Sequence, residues 1–98
     1  MTIEILDLAE EDIYRGYVFY ENQECGVGDY FLHTIFAEIE SLHLYAETHE
    51  MHFGKYRLLS RVFPFAIFYT VLDSTLKVHA VLDLRQNPSD NSKRLHQD

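Results

Sequence analysis

Arg57, Arg61, Lys77, His79 and Arg85 fall in the second half of the chain at spacings that β-strands would project onto shared faces. Arginine in that setting grips phosphate or carboxylate through two parallel hydrogen bonds, and lysine contributes a point charge. Lys55, Lys93 and Arg94 add to the same positive field. The chemistry implied is recognition of an anionic partner. The plainer reading is a set of solvated strand residues paired with Asp73 or Asp83, and the residues alone leave both open.

Other groups offer less. His49-Glu50-Met51-His52 places two imidazoles three residues apart, but a structural zinc site needs about four N or S donors, and Cys25 would bring the set only to three. A solvated loop is the expectation there, with no metal. Cys25 is the single cysteine, has no neighbouring base, and is read as an inert thiol. Gly26-Val27-Gly28 is not followed by the further glycine or lysine of a nucleotide-binding loop, so no cofactor is expected. No serine sits in a nucleophile elbow.

These cations must be positioned by strands. Tyr56 to Pro88 reads as three successive antiparallel strands separated by Asp73-Ser74-Thr75 and ended by Asn87-Pro88, with Gly54 as the turn before them. In the last strand, Leu76, Val78, Ala80, Leu82 and Leu84 form one row and Lys77, His79, Val81, Asp83 and Arg85 the other. In the first, Arg57, Leu59, Arg61 and Phe63 oppose Tyr56, Leu58, Ser60 and Val62. If the polar rows align, Arg57, Arg61, Lys77, His79 and Arg85 share one surface. Phe65 to Leu72 has no polar face, the mark of a central strand covered on both sides.

Upstream, Thr2 to Leu6 is a short strand that must join this sheet. Asp7 is placed to cap a helix with Glu10, Glu11 and Asp12 in its first turn and Ala9, Ile13, Tyr17 and Tyr20 along one stripe. Gly26 and Gly28 break it. Asp29 then caps a second helix whose buried face is Phe31, Leu32, Ile35, Ile39, Leu42 and Ala46. The expected fold is α+β: an N-terminal strand, then an antiparallel helical hairpin packed on one face of a mainly antiparallel four-stranded sheet. Residues 1–88 form the single domain, and 89–98 a polar tail that is mobile or ordered by a partner.

With 98 residues and 47% hydrophobic content, the chain can bury one core without a disulfide or metal. Its longest apolar run, Val62 to Leu72, is interrupted by Pro64 and falls short of the roughly 20 residues of a membrane helix. The first residues lack the basic start of an export signal, and a cytoplasmic location is expected. The net charge of −8 hides an asymmetry: residues 1–54 carry −11 and residues 55–98 carry +3. The second half therefore offers a local basic patch, whereas binding of nucleic acid by the whole surface is not expected.

The element order, together with Tyr56-Arg57, Phe63-Pro64-Phe65-Ala66-Ile67-Phe68-Tyr69, Ala80-Val81-Leu82 leading to Arg85 and Pro88, and Tyr20-Glu21-Asn22-Gln23 before Gly26-Val27-Gly28 and Phe31, resembles the RelE/ParE toxin superfamily. The resemblance covers most of the chain. It implies a small bacterial toxin silenced by an antitoxin, acting either as a ribosome-dependent messenger ribonuclease or as a poison of DNA gyrase. Ala66 stands near where RelE-like nucleases place an arginine, and no aromatic residue follows Tyr69. For a ribonuclease only Arg61, His79, Arg85 and His96 remain. The resemblance therefore favours a ParE-like, non-enzymatic gyrase inhibitor. Its target would meet Lys55, Arg57, Arg61, Lys77, Arg85, Lys93 and Arg94, and its antitoxin would cover Phe63, Phe65, Ile67 and Tyr69. Direct DNA binding and membrane association are not expected. Self-association as a homodimer is left open, as is a relic that retains only antitoxin binding.

Overall fold

Aromatic and β-branched residues occupy most of Phe65 to Leu72, which favours an extended chain with both faces buried. In the computed structural model, which describes residues 1–97, this segment is the middle strand of the sheet. The elements are β1 (Thr2–Ile5), α1 (Asp7–Gln23), α2 (Val27–Glu40), α3 (Leu42–Tyr45), β2 (Glu50–His52), β3 (Lys55–Leu59), β4 (Phe65–Leu72), β5 (Thr75–Asp83) and α4 (Pro88–Leu95). The strand order is β1-β5-β4-β3-β2; β1 runs parallel to β5 and the remaining pairs are antiparallel.

Helix α1 begins at Asp7, with Leu6 rather than Asp7 in the capping position; Asp7 and Glu10 then lie in the first turn, where the helix dipole favours negative charge. Its buried stripe is Ala9, Asp12, Ile13 and Gly16. Helix α2 starts two residues earlier than Asp29. Gly26 takes φ 94°, a left-handed conformation open to glycine at little cost. The Glu21 carboxylate reaches back from α1 to accept the N–H groups of Gly26 (3.1 Å) and Gly28 (2.9 Å), so α1 itself caps α2. Phe31, Ile35 and Ile39 continue into Leu42 of α3 as one buried face. The helix breaks at Ser41, whose hydroxyl donates to the Glu38 carbonyl at 2.6 Å.

The two long helices touch where Gly16 meets the Phe31 ring: a Cβ at Gly16 would lie 2.5 Å from it. Phe31 is fully buried and packed edge-on against Phe63 and Phe65, so the ring cannot simply turn aside. Gly16→Ala is expected to destabilise by about 1–3 kcal/mol through overpacking, despite alanine's higher helix propensity. A shift in the urea midpoint measures it.

The structure corrects four expectations. First, the sheet has five strands: Glu50–His52 is not a solvated loop but an edge strand, paired to β3 through a two-residue turn in which Phe53 and Gly54 both take positive φ. Second, β5 does not keep one alternation throughout. Phe68 faces Ala80 and Tyr69 faces Val78, so His79 is an extra, bulged residue. Beyond the bulge the faces exchange. Leu76 and Val78 join Val81 under the helices, while Ala80 and Leu82 join Ala66 and Phe68 on the opposite face.

Third, Pro88–Leu95 is not a mobile tail but a helix; Asp98, the last residue of the expected tail, lies outside the described residues. Asn87 Oδ1 accepts the Ser89 N–H, Pro88 occupies the first turn, and α4 folds back so that Leu95, 2% exposed, packs with Ala66, Phe68, Ala80 and Leu82. The sheet is thus covered by the hairpin on one face and by α4 on the other. The doubly apolar β4 follows from this. Fourth, β3 ends at Leu59, so Arg61 and Phe63 leave its alternation, and Phe63 turns into the helix-side core.

Candidate functional site

Packing α4 onto the sheet requires its polar ends to be satisfied, and two of the expected target-binding cations are used for that. Arg94 Nη1 donates to Asp12 Oδ1 at 2.6 Å and Nη2 to the His79 carbonyl at 3.0 Å, beside the bulge. Asp12, 4% exposed, also accepts the Val81 N–H at 2.9 Å and an Arg15 guanidinium contact at 2.7 Å. One carboxylate therefore ties α1, β5 and α4 together. Lys55 is likewise buried, and its ammonium donates to the Leu95 carbonyl at 2.8 Å, satisfying the end of α4. Lys55 and Arg94 are internal ties, not free target contacts.

The remaining cations divide between the two sides of the sheet, so the single basic surface is not formed. Arg57 stands opposite Phe68, and Lys77 opposite Thr70, which puts both on the α4 face together with His79, whose Nε2 lies 2.7 Å from the Thr70 hydroxyl. Arg85 turns to the helix side: it forms two bonds to the Asp83 carboxylate (3.0 and 2.9 Å), contacts the Tyr20 hydroxyl and lies over the Phe19 ring. Burial works against the Asp83 charge, but these contacts from Arg85 outweigh it and hold the Asp83 carboxyl below its usual range. Arg61 lies against α2, its main-chain N–H donating to Glu38 Oε2 at 2.9 Å. His96 meets the Phe53 ring edge-on. His79, Arg85 and His96 are thus held against three separate partners, and Arg61 is fixed only through its main-chain N–H.

On the α4 face, Arg57 borders a cavity of about 240 Å³ walled by Phe53, Phe68, Leu84 and Leu95. Its guanidinium is only loosely paired with Glu50 at 3.8 Å, and its Nε has no hydrogen-bond partner among the described residues. Phe53 and Leu84 are about half exposed. An arginine with donor capacity to spare, at the mouth of an apolar hollow, suits an anionic group attached to an apolar or aromatic body. Lys77 and Lys93 are exposed.

The four residues expected under an antitoxin are core residues. Phe63 and Phe65 are 8% and 5% exposed, and Ile67 and Tyr69 are fully buried. All four belong to the helix-side cluster. Cys25 is exposed at the hairpin tip. Among the described residues no three His, Cys, Asp or Glu side chains converge as metal ligands, and no helix is long and apolar enough to cross a membrane.

Tyr69 also explains His49. Burial raises the Tyr69 pKa, so the phenol keeps its proton; it accepts the Glu47 N–H at 3.0 Å and lies 2.6 Å from His49 Nδ1. Burial lowers the His49 pKa. The sign follows from proton uptake: below about 6.5 the unfolded chain binds a proton that the folded chain resists. Stability from His49 is full above that pH and is lost as pH falls through the lowered folded value. The urea midpoint of the wild type should be lower at pH 5.5 than at pH 7.5, and His49→Gln should shrink that difference.

Asp12 and Glu38 were not singled out by sequence. Asp12 was readable as an acid set between Ala9, Ile13 and Gly16 on the buried stripe; Glu38 carried no comparable signal.

No family model and no curated protein matches the chain. Among solved structures, a chain of one described as "Chromosomal ParDE TA system from P. aeruginosa" superposes with a TM-score of 0.74 at 15% identity, covering 87% of this chain and 97% of that one. The chain shares the fold of that superposed chain.

Proposed function

We propose that this protein is the toxin of a type II toxin–antitoxin pair, a ParE-like inhibitor that acts by binding DNA gyrase and is neutralised by a cognate antitoxin. The observation that carries this reading is the superposition over 97% of a chain from a ParDE toxin–antitoxin structure. Two features of the site support binding over cleavage. Of the four residues available for phosphodiester chemistry, His79, Arg85 and His96 have their side chains engaged apart from one another. The α4 face offers instead an arginine with an unused donor beside an apolar hollow, and Lys77 and Lys93 are exposed.

Induction of the chain alone should arrest growth, and co-expression with the small protein encoded beside it should relieve the arrest. Arg57→Ala combined with Lys77→Ala and Lys93→Ala should weaken the arrest at least tenfold in inducer dose while leaving the circular dichroism spectrum and urea midpoint nearly unchanged, because none of the three is buried. Undiminished toxicity of the triple variant would remove the α4 face from the function.

A further inference from the structure

The charges that line the hollow on the α4 face are of one sign. Beside its apolar walls stand Arg57, His52, Gln86, Asn91 and Ser92, and no acid is among the described residues that line it. Arg57 remains reachable, with 26% of its side chain exposed. Its Nε is closed to solvent and takes no part; the atom that already meets an anion is Nη2, 3.8 Å from Glu50 Oε2. His52 Nε2 lies 3.7 Å from the same oxygen. Both distances exceed a hydrogen bond and the Glu50 side chain is exposed, so this carboxylate rests beside the two groups without being fastened to them.

Size and rim narrow the occupant. An apolar cavity of about 150 Å³ holds one benzene ring, and about 240 Å³ gives such a ring room together with the link to its anionic group. Phe53 and Leu84, about half exposed, carry the apolar surface beyond one ring. A free small acid would leave that rim in water, whereas a chain segment covers it. Nucleic acid also joins rings to anions, but a strand of it would meet a protein of net charge −8 and the exposed Glu50.

We propose that this hollow receives an aromatic residue of a partner protein, with an acidic residue next to it in that chain paired to Arg57, and that Glu50 is the internal competitor which the incoming carboxylate displaces. Under the toxin reading, on which only the partner's identity rests, that segment belongs to the target. Glu50 weakens every acidic ligand alike, so the fit of the ring decides which segments bind in spite of it.

The test uses acetyl-Phe-Glu-amide and acetyl-Phe-Gln-amide, which share a shape and differ in charge. Titrated into the isotope-labelled full chain, the acidic peptide should shift the amide signals of Phe53, Arg57 and Leu84 and bind about tenfold more tightly than the neutral one, equivalent to about 1.4 kcal/mol. Acetyl-Ala-Glu-amide, which lacks the ring, should bind about tenfold more weakly than acetyl-Phe-Glu-amide. Glu50→Gln removes the competitor at an exposed position and should tighten the acidic peptide about threefold while leaving the neutral one unchanged. Equal binding of the acidic and neutral peptides by the wild type, shifts confined to the hairpin side, or no shifts at millimolar peptide would each overturn the proposal, and none depends on a variant folding. So would tighter binding of phenylacetate or of thymidine monophosphate, which would give the site to a free acid or to nucleic acid. Toxicity is read separately. A chain that discriminates the peptides yet never arrests growth keeps the hollow and loses the toxin reading, and a toxic chain indifferent to them does the reverse.

Discussion

Asp12→Ala is expected to be the most damaging single substitution in a polar residue of this protein, costing about 3–5 kcal/mol of unfolding free energy. The carboxylate is 4% exposed and accepts from Arg94, Arg15 and the Val81 N–H. Removing it strands the Arg94 guanidinium, whose Nε is already buried and unpaired among the described residues, against β5. Arg94 retains 14% side-chain exposure and can reach water by swinging outward, which places the loss toward the lower end of that range. Pairing Asp12→Leu with Arg94→Met should recover part of it, because a matched apolar pair avoids the uncompensated charge; the Val81 N–H remains the residual cost. Urea unfolding of the single and double variants measures both. A single-variant loss under about 1 kcal/mol would mean that the network is solvated and does not tie α1 to α4.

The second large effect concerns α4. Leu95→Asp puts a charge where a 2%-exposed leucine meets Ala66, Phe68, Ala80 and Leu82, and α4 is expected to come off the sheet. Truncating a buried leucine costs about 2–5 kcal/mol in a core, but here the loss is capped at the free energy that docks one eight-residue helix. Hydrogen exchange should therefore show protection vanishing from α4 while the amides of β4 and β5 stay protected. Lys55 would lose its acceptor, the Leu95 carbonyl, and the hollow beside Arg57 would lose its Pro88, Asn91 and Leu95 wall. Unchanged protection across α4 would show that Leu95 does not hold it.

Much of this architecture was legible in the residues. The stripes Ala9–Ile13 and Phe31–Ile35–Ile39 gave the hairpin, the uncharged run of β4 gave the central strand, and the N-terminal strand joins the sheet as its pattern required. The failures have physical causes. A bulge leaves no mark in an alternating pattern, since Leu76 to Leu84 reads as unbroken whether or not His79 is an extra residue; only the pairing partner reveals the slip. The tail was misread because its polarity is that of a helix with a single buried side chain, Leu95, and one leucine in ten residues gives no period. Yet the apolar second face of β4 demanded a cover, and α4 was the only segment left to supply it. The site suffered most, since Arg57, Arg61 and Arg85 were grouped on an alternation that ends at Leu59 and reverses at His79.

The most direct measurement is a DNA supercoiling assay with purified gyrase and the purified chain. Binding inhibition predicts loss of supercoiling that is reversed by the cognate antitoxin and weakened in the Arg57→Ala, Lys77→Ala, Lys93→Ala variant. Unimpaired supercoiling, with codon-specific cuts in translated message when the same preparation is given ribosomes, would contradict it.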